Sequence, residues 1–278
     1  MKRTTKTIIF LFLFITYSYG QSAEDFISSG VKKLESMEHK EAIIDFTQAI
    51  NTKPEDKLLS FAYSSRGYCK FILSDYKGAI LDFDKAIELN PDTNSLYSPS
   101  TNFLRGCCKS NINDYLGAIE DFTKSIELNY NVEECYYRRA IAKSSLKDHA
   151  SAISDLTKAV ELNSNKREYY SFRGSNKILL NDYRGAINDF NKAIDMNSND
   201  AFAFTQRGSC KSSLKDYDGA LKDYDIAIKL EPNKGFYYAQ RGLVKLFIKD
   251  YNNACIDFSR AGELGYVDAY DIIKKYCN

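Results

Sequence analysis

Residues Arg207–Asn233 read RGSCKSSLKDYDGALKDYDIAIKLEPN, and this stretch decides the fold because the chain repeats it. Two clear copies are Arg173–Asn199 (RGSNKILLNDYRGAINDFNKAIDMNSN) and Arg66–Asp92 (RGYCKFILSDYKGAILDFDKAIELNPD). The initial arginine recurs at Arg66, Arg105, Arg139, Arg173, Arg207 and Arg241, and the last four intervals are each 34 residues. A fixed period of this length predicts an array of stacked repeats rather than separate globular domains.

The period divides most of the chain into seven repeats and a short tail. We place the repeats at 23–56, 60–93, 99–132, 133–166, 167–200, 201–234 and 235–268, and the tail at 269–278. Each repeat is expected to form two helices. In repeat six, apolar residues three or four apart predict a first helix over 201–214 and a second over 218–230. Asp216, between them, is expected to be the N-cap or a first-turn acid of the second helix. The amphipathic tail is expected to cap the array.

Five positions within each repeat carry a resemblance to a known family. In repeat six a small residue, two alanines, an aromatic residue and a proline stand at Gly208, Ala220, Tyr224, Ala227 and Pro232. This pattern resembles the tetratricopeptide repeat, and the resemblance covers residues 23–268. It implies an all-α fold: a right-handed α-solenoid of seven helical hairpins plus a C-terminal capping helix.

Two departures from that pattern add charge to the first helix. Arg precedes the small residue and Lys follows it by three, as at Arg207 and Lys211, which lie four residues apart and would repel each other. Each second helix carries an Asp at one repeated position, directly before the aromatic residue or, in repeat four, before Leu156. We predict that this Asp pairs with Arg or Lys of the next repeat, such as Asp189 with Arg207. A solvated face of mixed charge is the alternative.

The repeated pattern leads to two further expectations, one about packing inside the hairpins and one about backbone conformation after the second helices. The small residue of each first helix is expected to pack against another helix backbone or against an aromatic ring of the second helix, for example Gly67 against Phe83. The residues that follow the second helices tolerate a left-handed backbone, which we expect at Asn90, Asn129, Asn163, Asn197 and Gly265.

The N-terminus predicts export. Lys2, Arg3 and Lys6 precede an apolar segment over 8–17, and Ser18-Tyr19-Gly20 precedes a predicted cleavage before Gln21. This is typical of a secretory signal peptide over 1–20, and an uncleaved anchor is the alternative. The segment is too short for a membrane-spanning helix. We therefore expect a periplasmic or secreted protein with no membrane span in the mature chain.

Charge argues against two classes of partner. Without the three basic residues of the predicted signal peptide, 35 basic residues stand against 37 acidic ones. This balance gives no positive surface for nucleic acid or for an anionic membrane. Neither is an expected partner.

The seven cysteines are expected to be mainly packing residues. Cys69, Cys108 and Cys210 share one small-residue slot in the first helices. Equivalent slots in adjacent repeats lie on the order of 10 Å apart, too far for a disulfide. The sequence leaves the roles of four others open: Cys107, Cys135, Cys255 and Cys277.

No catalytic motif accompanies the repeats. His39 and His149 occupy a slot that is Tyr elsewhere, for example Tyr217, and are expected to pack. The sequence contains no HExxH, CxxC, Gly-rich phosphate loop or nucleophile elbow. We predict a protein that is not an enzyme, with no catalytic residue, cofactor or metal ion.

The resemblance instead implies a binding groove lined by the first helices, which takes a protein or an extended peptide. The lining of this groove lacks the Lys and Asn residues with which some members of the family bind a C-terminal carboxylate. The alternatives are a cell-envelope glycan as ligand, and curvature tight enough for these side chains to pack on one another. The expected groove residues are Phe61, Tyr68, Phe71, Ile72, Phe103, Tyr137, Ile141, Ile178, Phe202, Phe236, Leu243 and Phe247.

Overall fold

A computed structural model describes residues 22–90 and 98–277. Over these residues the protein contains fifteen α-helices and no strand, which confirms the all-α prediction. The helices are α1 (Ala23–Glu35), α2 (His39–Asn51), α3 (Asp56–Ile72), α4 (Tyr76–Leu89), α5 (Ser98–Asn111), α6 (Tyr115–Glu127), α7 (Val132–Ser145), α8 (His149–Leu162), α9 (Arg167–Leu179), α10 (Tyr183–Met196), α11 (Ala201–Ser213), α12 (Tyr217–Leu230), α13 (Gly235–Phe247), α14 (Tyr251–Glu263) and α15 (Asp268–Tyr276).

Consecutive helices pair into hairpins within two compact units. The odd-numbered helices α1–α13 are the first helices of the hairpins, and the even-numbered helices α2–α14 are the second helices. The N-terminal unit is Met1–Asn131 and the C-terminal unit is Val132–Asn278. The predicted signal peptide lies outside the described residues. In the parts of the chain that the structure describes, no helix has both the length and the apolarity to cross a membrane.

An aspartate fixes the start of most second helices. Asp216 precedes α12, and its carboxylate accepts a hydrogen bond from the Gly219 backbone N–H at 3.0 Å, which confirms the predicted N-cap. Such a bond satisfies one of the backbone donors that a helix start leaves without a partner. The same cap is made by Asp75, Asp114, Asp148, Asp182 and Asp250.

The left-handed residues lie mostly in the hairpin turns, where we did not predict them. Asn90, Asn163 and Asn197 have φ between −134° and −147°, so the left-handed expectation was wrong for these three. It holds for Asn129 and Gly265. Every first helix is instead followed, within each hairpin, by one non-glycine residue with φ between 60° and 65°: Met37, Ser74, Asn113, Lys147, Asn181, Lys215 and Lys249.

Glycine should therefore stabilise a hairpin turn. Replacing Lys215, at φ 65°, with Gly is expected to raise the free energy of unfolding by about 1 kcal/mol, because an L-residue with a Cβ is strained there. Lys222→Gly is the matched control, since Lys222 is exposed inside α12, where Gly costs about 1 kcal/mol. Urea denaturation should give shifts of opposite sign. Equal destabilisation by both changes would contradict the prediction.

The tail forms the last helix. Its residue Ala269 is fully buried against Ala254, Phe258 and Ala261 of the last hairpin. Tyr270 covers Gly262, where an added Cβ would lie 3.0 Å from the ring. α15 therefore covers apolar surface that the seventh hairpin would otherwise expose.

Candidate partner-binding face

The hairpins are closed by a ring that packs on a glycine. A Cβ added at Gly67 would lie 2.8 Å from Cε1 of Phe83, and one at Gly30 equally close to Phe46. Both rings are fully buried. The repeated glycine is thus a contact for the facing ring, as expected. In repeat four, Ala140 replaces the glycine and Leu156 replaces the aromatic residue, so a residue larger than glycine on the first helix faces a side chain smaller than an aromatic ring on the second helix.

A buried carboxylate then joins the two helices of one hairpin. Asp223 is 2 % exposed and accepts from Nε and Nη2 of Arg207 at 2.9 and 2.6 Å. The ammonium of Lys211 lies 2.8 Å from the same carboxylate. Asp189 makes the equivalent contacts with Arg173 and Lys177. Our predicted pair of Asp189 with Arg207 was therefore wrong: the Asp neutralises the two cations of its own repeat.

The contact between neighbouring repeats is made by the remaining nitrogen of the arginine. Nη1 of Arg207 donates to Oδ1 of Asn191 at 2.7 Å, and Asn191 lies two residues after the Asp of the preceding repeat. The guanidinium also lies over the Phe204 ring, 5.2 Å from its centroid. Other arginines reach back in the same way: Arg66 to Thr47, Arg105 to Asp84, Arg173 to Thr157 and Arg241 to Asp225.

The hydrogen bonds to the buried carboxylates raise the pKa of some of these arginines. The hydrogen bonds that Arg66 donates to Asp82 raise the pKa of Arg66 above its ordinary value, and those that Arg241 donates to Asp257 raise the pKa of Arg241. Five arginines thus hold both their own second helix and the second helix before it: Arg66, Arg105, Arg173, Arg207 and Arg241. The network consequently fixes the first helices in place and occupies their charged side chains.

The predicted groove residues fall into an exposed and a packed group. The exposed group comprises Phe202 at 48 %, Phe236 at 44 %, Phe247 at 66 % and Ile72 at 43 % exposure. Three of these four belong to the first helices α11 and α13 of the C-terminal unit. Exposed aromatic side chains on neighbouring elements are typical of interaction surfaces.

The packed group contributes to the hairpins themselves. Phe71 packs against the cluster around Phe83. The Phe103 ring lies 5.9 Å from that of Phe122, and Tyr137 lies 4.8 Å from Tyr169, between ring centroids. The rest of the group is half-buried: Phe61, Tyr68, Ile141, Ile178 and Leu243. Changes at these positions affect packing as well as any ligand.

Hydroxyl groups separate the exposed rings, and most of them have partners inside the protein. Thr205 donates to the Ala201 carbonyl and Ser213 to the Ser209 carbonyl, both one turn earlier in α11. Ser209 Oγ lies 3.0 Å from the Tyr224 hydroxyl. These hydroxyls on α11 therefore already take part in hydrogen bonds within the protein.

An apolar cavity of 270 Å³ lies beside Phe247. It is enclosed by α13, α14 and α15, and its lining is Leu243, Leu246, Phe247, Tyr251, Ile272 and Tyr276. Phe247 also stacks on Tyr217, with ring planes 11° apart. The cavity thus presents aliphatic and aromatic carbon, and no charged side chain lines it.

The residues with acid–base or redox chemistry lie apart from that face. Nδ1 of His149 lies 3.0 Å from Oδ1 of Asn176, a contact between repeats four and five. Cys255 and Cys277 form a disulfide, which the sequence analysis missed because repeat spacing cannot place the tail. Within residues 22–90 and 98–277, no three His, Cys, Asp or Glu side chains are grouped to hold a metal ion.

Comparison with known proteins identifies the repeats. Tetratricopeptide repeat models match residues 60–93, 99–132, 133–166, 168–200 and 203–234, more than half of the chain. No curated protein sequence matches significantly.

Solved structures share the fold. The C-terminal part of a TPR repeat-containing protein from Cytophaga hutchinsonii is 15 % identical with a TM-score of 0.73, over 88 % of this chain and 98 % of that one. YrrB, described as a TPR protein with an unusual peptide-binding site, is 21 % identical with a TM-score of 0.60, over 74 % and 97 %. MamA is 25 % identical with a TM-score of 0.56, over 59 % and 96 %. The repeats and these neighbours support a protein-interaction scaffold. The protein belongs to the tetratricopeptide repeat family.

Proposed function

We propose that the protein is a non-enzymatic scaffold that binds a protein or extended peptide along its first helices, in the groove that such helices line in this family. The observation that carries this proposal is the set of exposed rings Phe202, Phe236 and Phe247 on α11 and α13. Their arginine and lysine neighbours are already held by buried carboxylates. These four cationic side chains are therefore occupied within their hairpins, while Phe202 borders a surface cavity that Arg167, Glu168 and Asp200 also line.

The exposed rings favour a partner that presents apolar side chains. A side chain of the partner can enter the cavity bounded by Leu246, Phe247 and Ile272. Since no charge lines that cavity, the affinity should depend little on salt. The hydroxyls of Thr205 and Ser213 already have acceptors, which gives less support to a glycan as ligand. We retain Ile72 as a further contact in the N-terminal unit.

We also propose that the chain is exported and that the predicted signal peptide is removed before Gln21. The Cys255–Cys277 disulfide supports this proposal, because structural disulfides are formed mainly in oxidising compartments. Terminal sequencing of the protein from the exported fraction tests it.

The binding experiment is affinity capture of the chain from the exported fraction of its own cells, followed by titration with the protein identified. Changing Phe202 and Phe247 together to Ser should weaken binding at least tenfold, because two exposed apolar contacts of about 1 kcal/mol or more are lost. Ile256→Ser is the matched control, since Ile256 is 65 % exposed on the second helix α14.

The unfolding midpoint of the double variant should stay close to that of the unsubstituted protein, because both rings are largely exposed. A partner that binds both variants equally would contradict the groove. Recovery of polysaccharide alone would favour the glycan alternative.

A further inference from the structure

The last helix is held at a single place in the fold. α15 has nine residues, too few for a helix that is stable by itself in water. Ala269, Ile272 and Ile273 pack against Phe258 and its neighbours in the seventh hairpin, and the Tyr270 ring covers Gly262. The position of α15 is therefore set by this interface and by a covalent bond to α14.

The covalent restraint on α15 is the disulfide between Cys255 and Cys277. Cys255 belongs to α14, and Cys277 directly follows α15, so the bond encloses the whole helix in a loop with a sequence separation of 22. The two Cα atoms are 5.7 Å apart. Closing such a loop removes conformational freedom from the undocked state of α15 and favours the docked one.

The bond is also accessible. Cys255 and Cys277 are half-buried and line an open surface cavity of 570 Å³ together with Tyr238, Arg260 and Ile273. The other five cysteines are buried. Burial raises the pKa of Cys69 to about 11 and those of Cys108 and Cys210 to about 12, so these thiols do not supply a competing thiolate. Thiol–disulfide exchange is thus directed to the tail.

We propose that Cys255–Cys277 is a redox latch on α15: a dithiol reductant opens it and releases the helix from α14, while the preceding hairpins stay folded. One thiolate of the reductant attacks a sulfur of the disulfide and forms a mixed disulfide, and the cysteine that leaves takes up a proton. The second thiol of the reductant displaces the remaining cysteine. Two cysteine thiols and one oxidised reductant result, with two electrons and two protons transferred.

Opening the latch changes the end of the binding face. Ile272 and Tyr276 form the α15 side of the apolar cavity, so the cavity loses that wall when α15 leaves. Ala254, Phe258 and Ala261 become accessible in the same step. The latch does not depend on whether the groove binds a peptide, because it rests on the disulfide and on the packing of α15 against the seventh hairpin.

Hydrogen exchange by mass spectrometry tests the latch on the purified chain, with and without dithiothreitol. Reduction should raise the exchange rates of the protected amides of residues 268–276 by about a hundredfold, the scale expected for closure of a loop of this length. Exchange in α7–α12 should not change. The double variant Cys255→Ser/Cys277→Ser should exchange like the reduced protein and should not respond to dithiothreitol.

Cys210→Ala serves as the control variant, since Cys210 is buried in α11, and it should respond to the reductant like the unsubstituted protein. Unchanged exchange in residues 268–276 after reduction would overturn the proposal, because packing alone would then hold α15. Faster exchange throughout the C-terminal unit would also overturn it, since the bond would then stabilise the whole unit.

Discussion

Replacing Asp223 with Ala should lower the free energy of unfolding by about 3 kcal/mol. Its carboxylate is 2 % exposed and is the acceptor for two cationic side chains, Arg207 and Lys211. Without it, two like charges remain together at a site with little solvent, since the side chains of Arg207 and Lys211 are only 16 % and 21 % exposed. Removal of one partner from a buried ionic cluster costs more than the cluster contributes, because the remaining charge has no counterpart.

Asp225→Ala is the matched control, two residues along the same helix. Asp225 pairs with Arg241 at 2.6 Å, but its side chain is 59 % exposed, and exposed pairs contribute less than about 1 kcal/mol. Urea denaturation followed by circular dichroism gives both changes, and hydrogen exchange of α11 and α12 shows whether the loss is local. Equal effects of the two substitutions would mean that solvent screens the cluster.

The charge network also shows how far sequence reasoning reaches. The repeat period and the Gly67–Phe83 pattern predicted the hairpins and their packing, because each position recurs with the same neighbours. The presence of Asp–Arg pairing was predicted as well. Which arginine pairs with each Asp was not predicted correctly, because the period places Asp189 near two arginines. Only the geometry distinguishes Arg173 of the same hairpin from Arg207 of the next one.

Features without a period were harder to predict. The Cys255–Cys277 pair joins a repeat position to the tail, and no second copy of that arrangement exists in the sequence.

The left-handed turn residues do recur, but they include Met37 and Lys215, which have no compositional preference for that backbone. For the predicted groove, the period identified which positions to compare. It could not separate exposed Phe247 from packed Phe71, because exposure depends on the neighbouring helix.

Substituting Gly67 with Ala should destabilise the protein by about 2 kcal/mol, although the same change inside an ordinary helix stabilises by about 1 kcal/mol. The new Cβ would lie 2.8 Å from Cε1 of Phe83 and 3.2 Å from Cβ of Asp82. Phe83 is fully buried, so its ring cannot move aside without disturbing the core.

Repeat four contains the compensating arrangement, since Ala140 faces Leu156 there and both are fully buried. Phe83→Leu alone should cost about 1–2 kcal/mol, because it leaves space beside Gly67. The double variant Gly67→Ala/Phe83→Leu reproduces the repeat-four pair and should lie within about 1 kcal/mol of the unsubstituted protein, a favourable coupling of at least about 2 kcal/mol. Urea denaturation of the four proteins measures this coupling. Additive losses would show that the glycine serves the backbone of α3 rather than the ring, and the repeat pattern would then need a conformational explanation in place of a packing one.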